Sequence, residues 1–367
     1  MAKAVSWERA EGLSAAGSWA EAGAAWAELA EKSWKKGDHR KAREAAARGA
    51  DAWRRDDRPA ATAKLLRSYA QPGKRSVTDE VQLAAVLMEA GEVRAAADIA
   101  EASLLRAQEP ADRAIALDTL AGLRLAAGDV EGARRTVTEA GRLGIPGAEM
   151  ARRFRTAQLD RLDGALGAAA TGWTQLVTQL EPYTEARGPA AACYGELAEL
   201  QLLRLALGAE PRLCLLRALD ALARASRGWQ EAGRRSAYFR TQAWIARVRA
   251  LQGEVVHPGA IDTALLYAAE RQLPLLEADL RLCRAVVTAS AADAEAALRR
   301  LDETPLARGR CRVIFMELGG NLSVDATFKE LEQDAPWTAR AMIAVGRRLP
   351  DPALLADGQA RAAALLG

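Results

Sequence analysis

Few side chains in this sequence have both the type and the spacing that chemistry needs. The two histidines, His39 and His257, both fall in predicted turns. A metal site or an acid–base pair would need further ligands at helical spacing, and neither histidine has them. The adjacent carboxylates Asp56 and Asp57 could bind magnesium, but no further acid follows one helical turn on, and arginines flank the pair. We therefore expect a solvent-exposed charged turn at this point.

The cysteines give little support for nucleophilic catalysis. They are Cys193, Cys214, Cys283 and Cys311, and no two have the close spacing of metal ligands. Each lies in an apolar helical context, which predicts buried, reduced thiols and suits the cytoplasm. Cys193, beside Tyr194, has the least buried pattern, but it would need a histidine from a distant part of the chain. The sequence also has no phosphate-binding glycine loop and no Gly-x-Ser-x-Gly motif. We predict no catalytic residue, no cofactor and no metal.

The composition favours helices packed on helices. Hydrophobic residues make up 50 % of the chain and aromatic residues 5 %. The core must therefore be built mainly from alanine, leucine and valine, whose small average size lets helices approach closely. The best strand candidate, Arg312-Val313-Ile314-Phe315, sits inside a helical pattern. The sequence predicts an all-α fold.

The charges are nearly balanced, with a net charge of +3. This balance argues against a nucleic-acid or membrane partner for the chain as a whole. No stretch approaches the roughly 18 apolar residues of a membrane span, and the first residues are charged where a signal peptide needs an apolar run. We expect a cytoplasmic protein.

A helix–turn–helix pattern recurs along the first half. An amphipathic helix ends at Gly-Asp or Gly-Glu, and a second helix follows with alanines about one turn apart. A weaker fourth copy turns at Asp163-Gly164, and its first helix has Arg155 and Thr156 where apolar residues are expected. The three clear copies contain Trp26, Leu29, Ala30, Gly37-Asp38, Ala42, Ala46 and Gly49; then Leu83, Ala84, Leu87, Gly91-Glu92, Ala96, Ala100 and Ser103; then Leu117, Leu120, Ala121, Gly128-Asp129, Ala133, Val137 and Ala140.

Each part of the pattern has a physical reason. Glycine ends the first helix because its backbone can enter the left-handed region. The acid after it is favourable near the start of the next helix. Alanine lets the two helices cross closely, and Pro110 and Pro146 are expected to stop the second helices. One hairpin cannot bury its faces alone, so the copies must stack.

These copies resemble tetratricopeptide repeats of bacterial type, over about residues 20–145. The family's unit has 34 residues, and here 37 residues separate Gly91 from Gly128. The step from Gly37 to Gly91 is 54 residues, so an additional short helix is expected between Arg54 and Lys74, in a stretch that ends at Gln71-Pro72-Gly73-Lys74. The resemblance implies a solenoid of helical hairpins, wound as a right-handed superhelix.

The resemblance also implies where a partner would bind. In this family the first helices line a concave groove whose polar residues hold peptides, often at an acidic tail. Carried over to this chain, the lining is mixed in charge and lacks the basic clamp of chaperone-tail binders. The implied groove residues are Glu31, Trp34 and Lys35 in the first copy, Ala85, Met88 and Glu89 in the second, and Asp118, Gly122 and Leu125 in the third.

The strongest electrostatic feature lies near the N-terminus. Residues 31–76 hold 14 Lys or Arg and six Asp or Glu, a net charge of +8. Lys41, Arg48 and Arg55 recur every seven residues on one helical face. A solvated helix face would explain this pattern, and so would a basic surface that attracts an acidic peptide, a carboxylate terminus or nucleic acid.

Tryptophan is concentrated in the same region, since five of the nine lie in the first 53 residues. Trp19 and Trp26 share a helical face, which fits core packing or anchors for a partner. Trp34 lies one position off the packing stripe and is our candidate anchor. Together the patterns predict partner contacts at Glu31, Trp34, Lys35, Lys36, Lys41, Arg48, Met88, Glu89 and Asp118.

The second half stays helical but loses the repeat register. We divide the chain into an N-terminal array, residues 1–187, and a divergent helical-repeat region, residues 188–367, which could be a continuation or a separate domain. The best joints are Gly188-Pro189 and His257-Pro258-Gly259. Residues 268–278 also resemble helical-repeat segments of large bacterial signalling proteins. Helices are predicted at 190–206, 212–224, 236–251, 260–271, 275–288 and 293–301, with a C-terminal capping helix at 352–366.

Three functional hypotheses follow. The first is a non-catalytic adaptor that binds another protein or peptide, possibly an acidic one, through the groove or the basic N-terminal surface. The alternative is a peptide- or ligand-responsive signalling regulator that acts on a separate effector. The third is an all-α enzyme, which predicts a closed cavity with converging acids or histidines.

Overall fold

The computed structural model describes residues 5–69, 76–349 and 351–367. This part of the chain is all-α, with 81 % helix and no strand, so the predicted fold class is confirmed. The helices pack in consecutive pairs, as they do in a helical-repeat solenoid. They are α1 (Trp7–Ala15), α2 (Trp19–Lys35), α3 (His39–Arg55), α4 (Pro59–Tyr69), α5 (Val77–Glu89), α6 (Val93–Arg106), α7 (Pro110–Ala126), α8 (Val130–Arg142), α9 (Pro146–Leu162), α10 (Leu166–Leu180), a 3₁₀ helix (Thr184–Ala186), α11 (Arg187–Ala206), α12 (Pro211–Glu231), α13 (Arg235–Leu251), α14 (Gly259–Glu270), α15 (Pro274–Thr288), α16 (Ala291–Leu298), α17 (Pro305–Glu317), α18 (Val324–Leu331), α19 (Ala335–Arg348) and α20 (Pro352–Leu366).

The first predicted copy forms the hairpin of α2 and α3. Ala30 and Ala42 are fully buried between the helices, and Trp26 is 1 % exposed. The Trp26 indole N–H donates to Ser14 Oγ at 3.1 Å, and its ring meets Trp7 edge-on with centroids 4.8 Å apart. Trp26 is therefore a packing residue that fixes α1 on the first hairpin.

The Gly-acid turns have the predicted local chemistry at two of the three clear copies. Asp38 Oδ1 accepts the Lys41 N–H at 3.1 Å, and Asp129 Oδ1 accepts the Gly132 N–H at 2.8 Å. These hydrogen bonds satisfy donors that the start of a helix leaves unpaired. Glu92 makes no such bond, and its carboxylate instead accepts from Arg67 Nη2 at 2.9 Å.

Pro110 and Pro146 begin helices in the structure, whereas the sequence analysis expected them to end the preceding helices. Helix α6 ends at Arg106, and Pro110 is the first residue of α7. Likewise Pro146 is the first residue of α9, and neither proline lies against the end of the preceding helix. Proline suits the first turn, where its missing N–H would have had no helical partner. The expectation that Pro110 and Pro146 stop helices was wrong.

The extra helix between the first two copies is α4. Residues 70–75, which include the segment Gln71-Pro72-Gly73-Lys74, lie outside the described residues. The strand candidate Arg312-Val313-Ile314-Phe315 lies within α17. Helix α20 has the bounds that the sequence predicts for the capping helix.

The second half has a register of its own, which the sequence analysis missed. Pro274, Pro305 and Pro336 lie in the first turns of α15, α17 and α19. They are 31 residues apart in both steps, which is shorter than the spacing of the N-terminal turns. Because this unit is shorter, the N-terminal spacing does not continue into the second half.

The chain coils back so that the second half packs against the first. We call α2–α10 the upper tier and α13–α20 the lower tier, with α11 and α12 linking them. The Gly91 turn packs on Pro274, the Gly128 turn on Pro305, and the Gly164 turn on α19 and α20. Side-chain bonds reinforce this contact, because Glu303 accepts the Arg94 N–H at 3.0 Å and Gln333 accepts the Val130 N–H at 3.1 Å. Successive turns of the upper tier therefore meet successive helix starts of the lower tier.

The predicted boundary after residue 187 falls at the start of α11, and Gly188-Pro189 lies inside that helix. His257-Pro258-Gly259 lies at the junction of α13 and α14. Contacts between the tiers cross the predicted boundary, and the division into two regions stays a prediction. Among the helices described, none combines the length and apolar character that crossing a bilayer requires.

Candidate binding site

Most of the predicted basic surface is neutralised by nearby acids. Lys35 pairs with Glu31 at 2.6 Å, and both side chains are exposed. The hydrogen bond and charge of Lys35 lower the pKa of Glu31. Lys41 pairs with Asp38 at 3.6 Å, and Arg48 bridges two acids, Glu11 at 2.6 Å and Glu44 at 3.1 Å. Exposed pairs of this kind contribute little to stability, because water and salt screen them.

Four exposed cations in this region form no ion pair with the described residues. Of the twelve described Lys and Arg between residues 31 and 69, eight have an acid within 4 Å. Lys74 and Arg75 belong to the predicted surface but lie outside the described residues. Within the ranges described, no ion pair involves the remaining four, which are Lys36, Arg40, Arg43 and Lys64.

Trp34 lies in the last turn of α2, close in sequence to three of these cations. Its ring meets His39 with centroids 4.4 Å apart and Tyr69 with centroids 5.7 Å apart, so it is half-buried between α2, α3 and α4. Lys36, Arg40 and Arg43 surround the turn from α2 to α3. We call Lys36, Arg40 and Arg43 the basic end.

The groove residues of the second and third copies meet charged partners. Glu89 lies 3.3 Å from Arg234 of the α12–α13 turn, while Met88 is half-buried beside it. Burial raises the pKa of Glu89, and Arg234 opposes that rise. Asp118 accepts from Arg155 Nε at 3.0 Å, and the Arg155 guanidinium covers Gly122.

The expectation of an exposed charged turn at Asp56 and Asp57 was wrong. Asp57 is 8 % exposed and has a φ of 54°. Its carboxylate accepts hydrogen bonds from the Ser236 N–H at 3.0 Å and from the Tyr267 hydroxyl at 2.6 Å. Asp56 pairs with Arg271 at 3.4 Å. The pair joins the two tiers, with partners too distant in sequence for local pattern reading to find.

A chain of polar side chains runs through the inner faces of α7, α9 and α11. Arg155 of α9 pairs with Asp118 of α7 and also donates to Gln158 at 3.1 Å. Gln158 in turn donates to Glu196 of α11 at 2.6 Å. The next inward residue, Arg161, is 6 % exposed, and it donates to Glu199 at 3.2 Å.

The polar chain continues into the lower tier through Arg310 of α17. Arg310 donates to Glu199 at 3.3 Å and to Asp334, which is fully buried. Burial alone would raise the pKa of Glu199, but the positive charges of Arg161, Arg310, Arg240 and Arg247 outweigh burial and lower it. Glu199 is therefore held in its charged form.

The sequence contained a signal for this polar chain. Arg155 and Thr156 depart from the apolar pattern of the fourth copy. Such departures weaken a repeat assignment, but they also mark positions where a helix turns a charge toward the interior. Gln158 follows Arg155 by three residues and Arg161 follows Gln158 by three, so each is a neighbour of the one before it on the surface of α9.

A cavity of about 150 Å³ adjoins these carboxylates, between α9, α11, α12 and α13. Glu196, Glu199 and Arg240 supply its charged lining. Its apolar lining includes Phe154, Leu222, Trp229 and Trp244. Glu196 Oε2 and Arg161 Nε lie 3.9 Å apart beside the cavity, and both are buried without a hydrogen-bond partner among the described residues. None of the cavity residues was predicted as a site.

Among the described residues, the guanidinium of Arg240 is hydrogen-bonded through Nε but not through its Nη atoms. Its Nε is bonded to Asp279 of α15, which also accepts the Trp244 indole N–H at 3.1 Å. The Arg240 guanidinium lies 5.7 Å from the Trp244 ring centroid, and the side chain is 56 % exposed. Arg240 lines the cavity, and no residue of the described chain accepts a hydrogen bond from either of its Nη atoms.

The cysteines are all free and buried. Cys193 is 1 % exposed and Cys214 is 5 % exposed, so the expectation that Cys193 is the least buried was wrong. Burial raises the pKa of Cys193 and of Cys311 to about 12, which suppresses the reactive thiolate at neutral pH.

Neither histidine lines the cavity. His39 begins α3 against Trp34, and His257 Nδ1 accepts the Gly259 N–H at 3.1 Å before α14. Within residues 5–69, 76–349 and 351–367, no three His, Cys, Asp or Glu side chains are grouped as metal ligands would be. Protein-family models and curated protein sequences give no match to this chain.

Proposed function

We propose that this protein is a non-catalytic scaffold that binds an acidic segment of a partner protein at the basic end. The observation that carries the proposal is that Lys36, Arg40 and Arg43 are exposed around one turn, with no ion pair among the described residues. Unpaired surface cations raise the local potential and speed the encounter with an acidic partner. Trp34, at the end of α2 before the same turn, offers a half-buried aromatic surface of the kind that dominates binding energies.

The helical-hairpin array supports the same function. Stacked hairpins form a preordered surface, so a partner that docks on it loses little conformational freedom in the scaffold. The resemblance to tetratricopeptide repeats points to peptide binding along the first helices, where Met88, Glu89 and Asp118 lie. Of the predicted basic contacts, Lys35, Lys41 and Arg48 already have acidic neighbours, which makes Lys36 the strongest of that set.

A ligand-responsive regulator is the second candidate, and the cavity at Glu199 and Arg240 is the observation that favours it. The all-α enzyme was expected to have a closed cavity with converging acids or histidines, and acid–base catalysis works best when such a group titrates near the working pH. Glu199 fits that role poorly, because its pKa is lowered and two arginines hold its charge. A cytoplasmic location is proposed on the strength of the four free, buried thiols.

The test is charge reversal with a control of equal net charge. The variant Lys36→Glu/Arg40→Glu/Arg43→Glu is compared with Arg212→Glu/Arg217→Glu/Arg227→Glu, three exposed arginines of α12. The probe is a fluorescently labelled glutamate-rich peptide, followed by anisotropy at low and high salt. We expect salt-sensitive binding by the parent and the α12 control, and about a tenfold or greater loss in the basic-end variant.

Equal binding by both variants would overturn the assignment of the basic end. The same pair of variants serves as bait in affinity capture, where an authentic partner is retained by the α12 control and lost with the basic-end variant. Circular dichroism melts confirm that each triple variant is folded, since all six positions are exposed.

A further inference from the structure

The cavity between α9, α11, α12 and α13 presents a free acceptor and a free donor together. Glu199 Oε1 accepts from both Arg161 and Arg310, which leaves its Oε2 without a hydrogen bond in the described chain. Arg240 is held at Nε by Asp279, which leaves its two Nη atoms free. A ligand that satisfies both groups must carry a donor and an acceptor of its own.

The charges at the cavity are arranged for a ligand with two opposite charges. Glu199 and Arg240 line the same cavity but are not bonded to each other. They are close enough that each contributes to the electrostatic environment of the other. Glu196 adds a second carboxylate, whose buried Oε2 lacks a hydrogen-bond donor. A buried acceptor without a donor is unfavourable, and a bound ammonium group beside the carboxylates would satisfy it.

The size of the cavity limits the ligand. Its volume of about 150 Å³ is far below the roughly 300–1,000 Å³ of pockets for drug-sized molecules. A cavity of that volume holds a molecule of about the size of benzene. Phe154, Leu222 and Trp229 form an apolar wall that would bury a short hydrocarbon side chain.

We propose that this cavity binds a small aliphatic α-amino acid as the zwitterion. The ammonium group pairs with Glu199 beside Glu196, the carboxylate pairs with the free Nη atoms of Arg240, and the side chain lies against the apolar wall. This goes beyond the scaffold function and does not depend on the basic end, which lies in α2 and α3. The two proposals can therefore fail separately.

The experiment is isothermal titration calorimetry of the full chain with three probes. L-Valine carries both charges, isobutylamine is the same molecule without the carboxylate, and isovalerate is the same molecule without the amine. We expect saturable binding of L-valine, and binding at least about tenfold weaker for each single-charge probe, since each lacks one charge-assisted contact.

A variant that fills the cavity tests whether L-valine binds inside it. Gly195 lines the cavity in α11, and a Cβ added there would meet no atom within 4 Å, so Gly195→Leu fills the cavity without forcing the backbone. Gly167→Leu is the matched control, because Gly167 is an exposed helical glycine of α10 with the same open space. We expect Gly195→Leu to abolish L-valine binding and Gly167→Leu to preserve it. Arg240→Met should weaken L-valine by about tenfold and leave isobutylamine unchanged.

Three results would overturn the proposal. The first is no saturable binding of L-valine at millimolar concentration. The second is a single-charge probe that binds as tightly as L-valine, which would show that one of the two charged contacts is not made. The third is unchanged L-valine binding by folded Gly195→Leu, which would place the ligand elsewhere.

Discussion

The hydroxyl of Tyr267 in α14 donates to Asp57 Oδ2 across 2.6 Å, although 210 residues separate the two in the sequence. The same carboxylate accepts from the N–H and the hydroxyl of Ser236, at 3.0 and 3.3 Å. Asp57 has a φ of 54°, which is uncommon for a residue other than glycine. Three hydrogen bonds from the lower tier thus hold an upper-tier residue in a conformation that it would seldom adopt alone.

Tyr267→Phe should destabilise the fold by about 2 kcal/mol, because the hydrogen bond it removes ends on a buried carboxylate. Urea unfolding measures the change. Tyr183→Phe is the control, since Tyr183 is 55 % exposed and should shift the free energy of unfolding by less than about 0.5 kcal/mol. Equal effects of the two substitutions would show that the Asp57 contact does not tie the tiers.

The same contact predicts a dependence on alkaline pH. Burial, and then the hydrogen bond and charge of Asp57, raise the pKa of Tyr267 above the ordinary tyrosine value of about 10. The stability that this shift contributes is complete below about pH 10 and is lost as the pH rises toward the folded-state pKa. The free energy of unfolding of the parent should therefore fall more steeply above about pH 10 than that of Tyr267→Phe. Urea titrations from about pH 9 to pH 11 check this, and parallel curves would contradict it.

The sequence could predict the hairpins because their signals are local. Gly37-Asp38 and Gly128-Asp129 encode a helix end and the next helix start within a few residues, and the structure has both turns. The contact of Asp57 with Tyr267 could not be predicted this way. Its flanking arginines give the pattern of a solvated turn, and its true partners become neighbours only when the chain coils back.

The cavity could not be predicted from the sequence for a different reason. Glu199 and Arg240 lie on different helices, and each looks like an ordinary charged position in an amphipathic pattern. Only the approach of α9, α11 and α13 makes them neighbours of one cavity. The 31-residue step between Pro274, Pro305 and Pro336 was a signal that the sequence did contain, and it would have predicted the lower-tier register.

Two glycine variants can separate the stability contributed by the tier contact at Gly91 from the stability lost through its backbone conformation. Gly91 and Gly37 have φ of 84° and 78°, so alanine at either position adds a left-handed penalty of about 1–2 kcal/mol. At Gly91 the new Cβ would also lie 2.8 Å from Pro274 Cγ, whereas at Gly37 it would meet nothing within 4 Å. Gly91→Ala should therefore cost about 1–3 kcal/mol more than Gly37→Ala in thermal or urea unfolding. If the two losses are the same, the upper and lower tiers are not in contact there.

Among the interior ion pairs, we expect the pair of Arg310 with Asp334 to cause the largest loss in the free energy of unfolding when its arginine is replaced. Asp334 is fully buried, and Arg310 donates to its Oδ2 through Nε at 2.8 Å and Nη2 at 2.5 Å. Arg310→Met would leave Asp334 charged in the interior, at a cost of about 3–5 kcal/mol. Arg299→Met is the matched control, because Arg299 pairs with Glu295 on the surface and should cost no more than about 0.5 kcal/mol.

The loss in Arg310→Met should also depend on pH in a defined direction. Arg310 also lies against Glu199, and the positive charges of Arg161 and Arg310 outweigh burial and lower the pKa of that carboxyl. The removal of Arg310 therefore takes away stability that is present at neutral pH and is lost as the pH falls toward the pKa of Glu199. The difference in free energy of unfolding between the parent and Arg310→Met should therefore shrink as the pH falls from about 7 to about 4. Urea unfolding across that range measures the difference. A gap that stays constant would mean that the loss comes from packing and not from the lost charge interaction with the carboxylate.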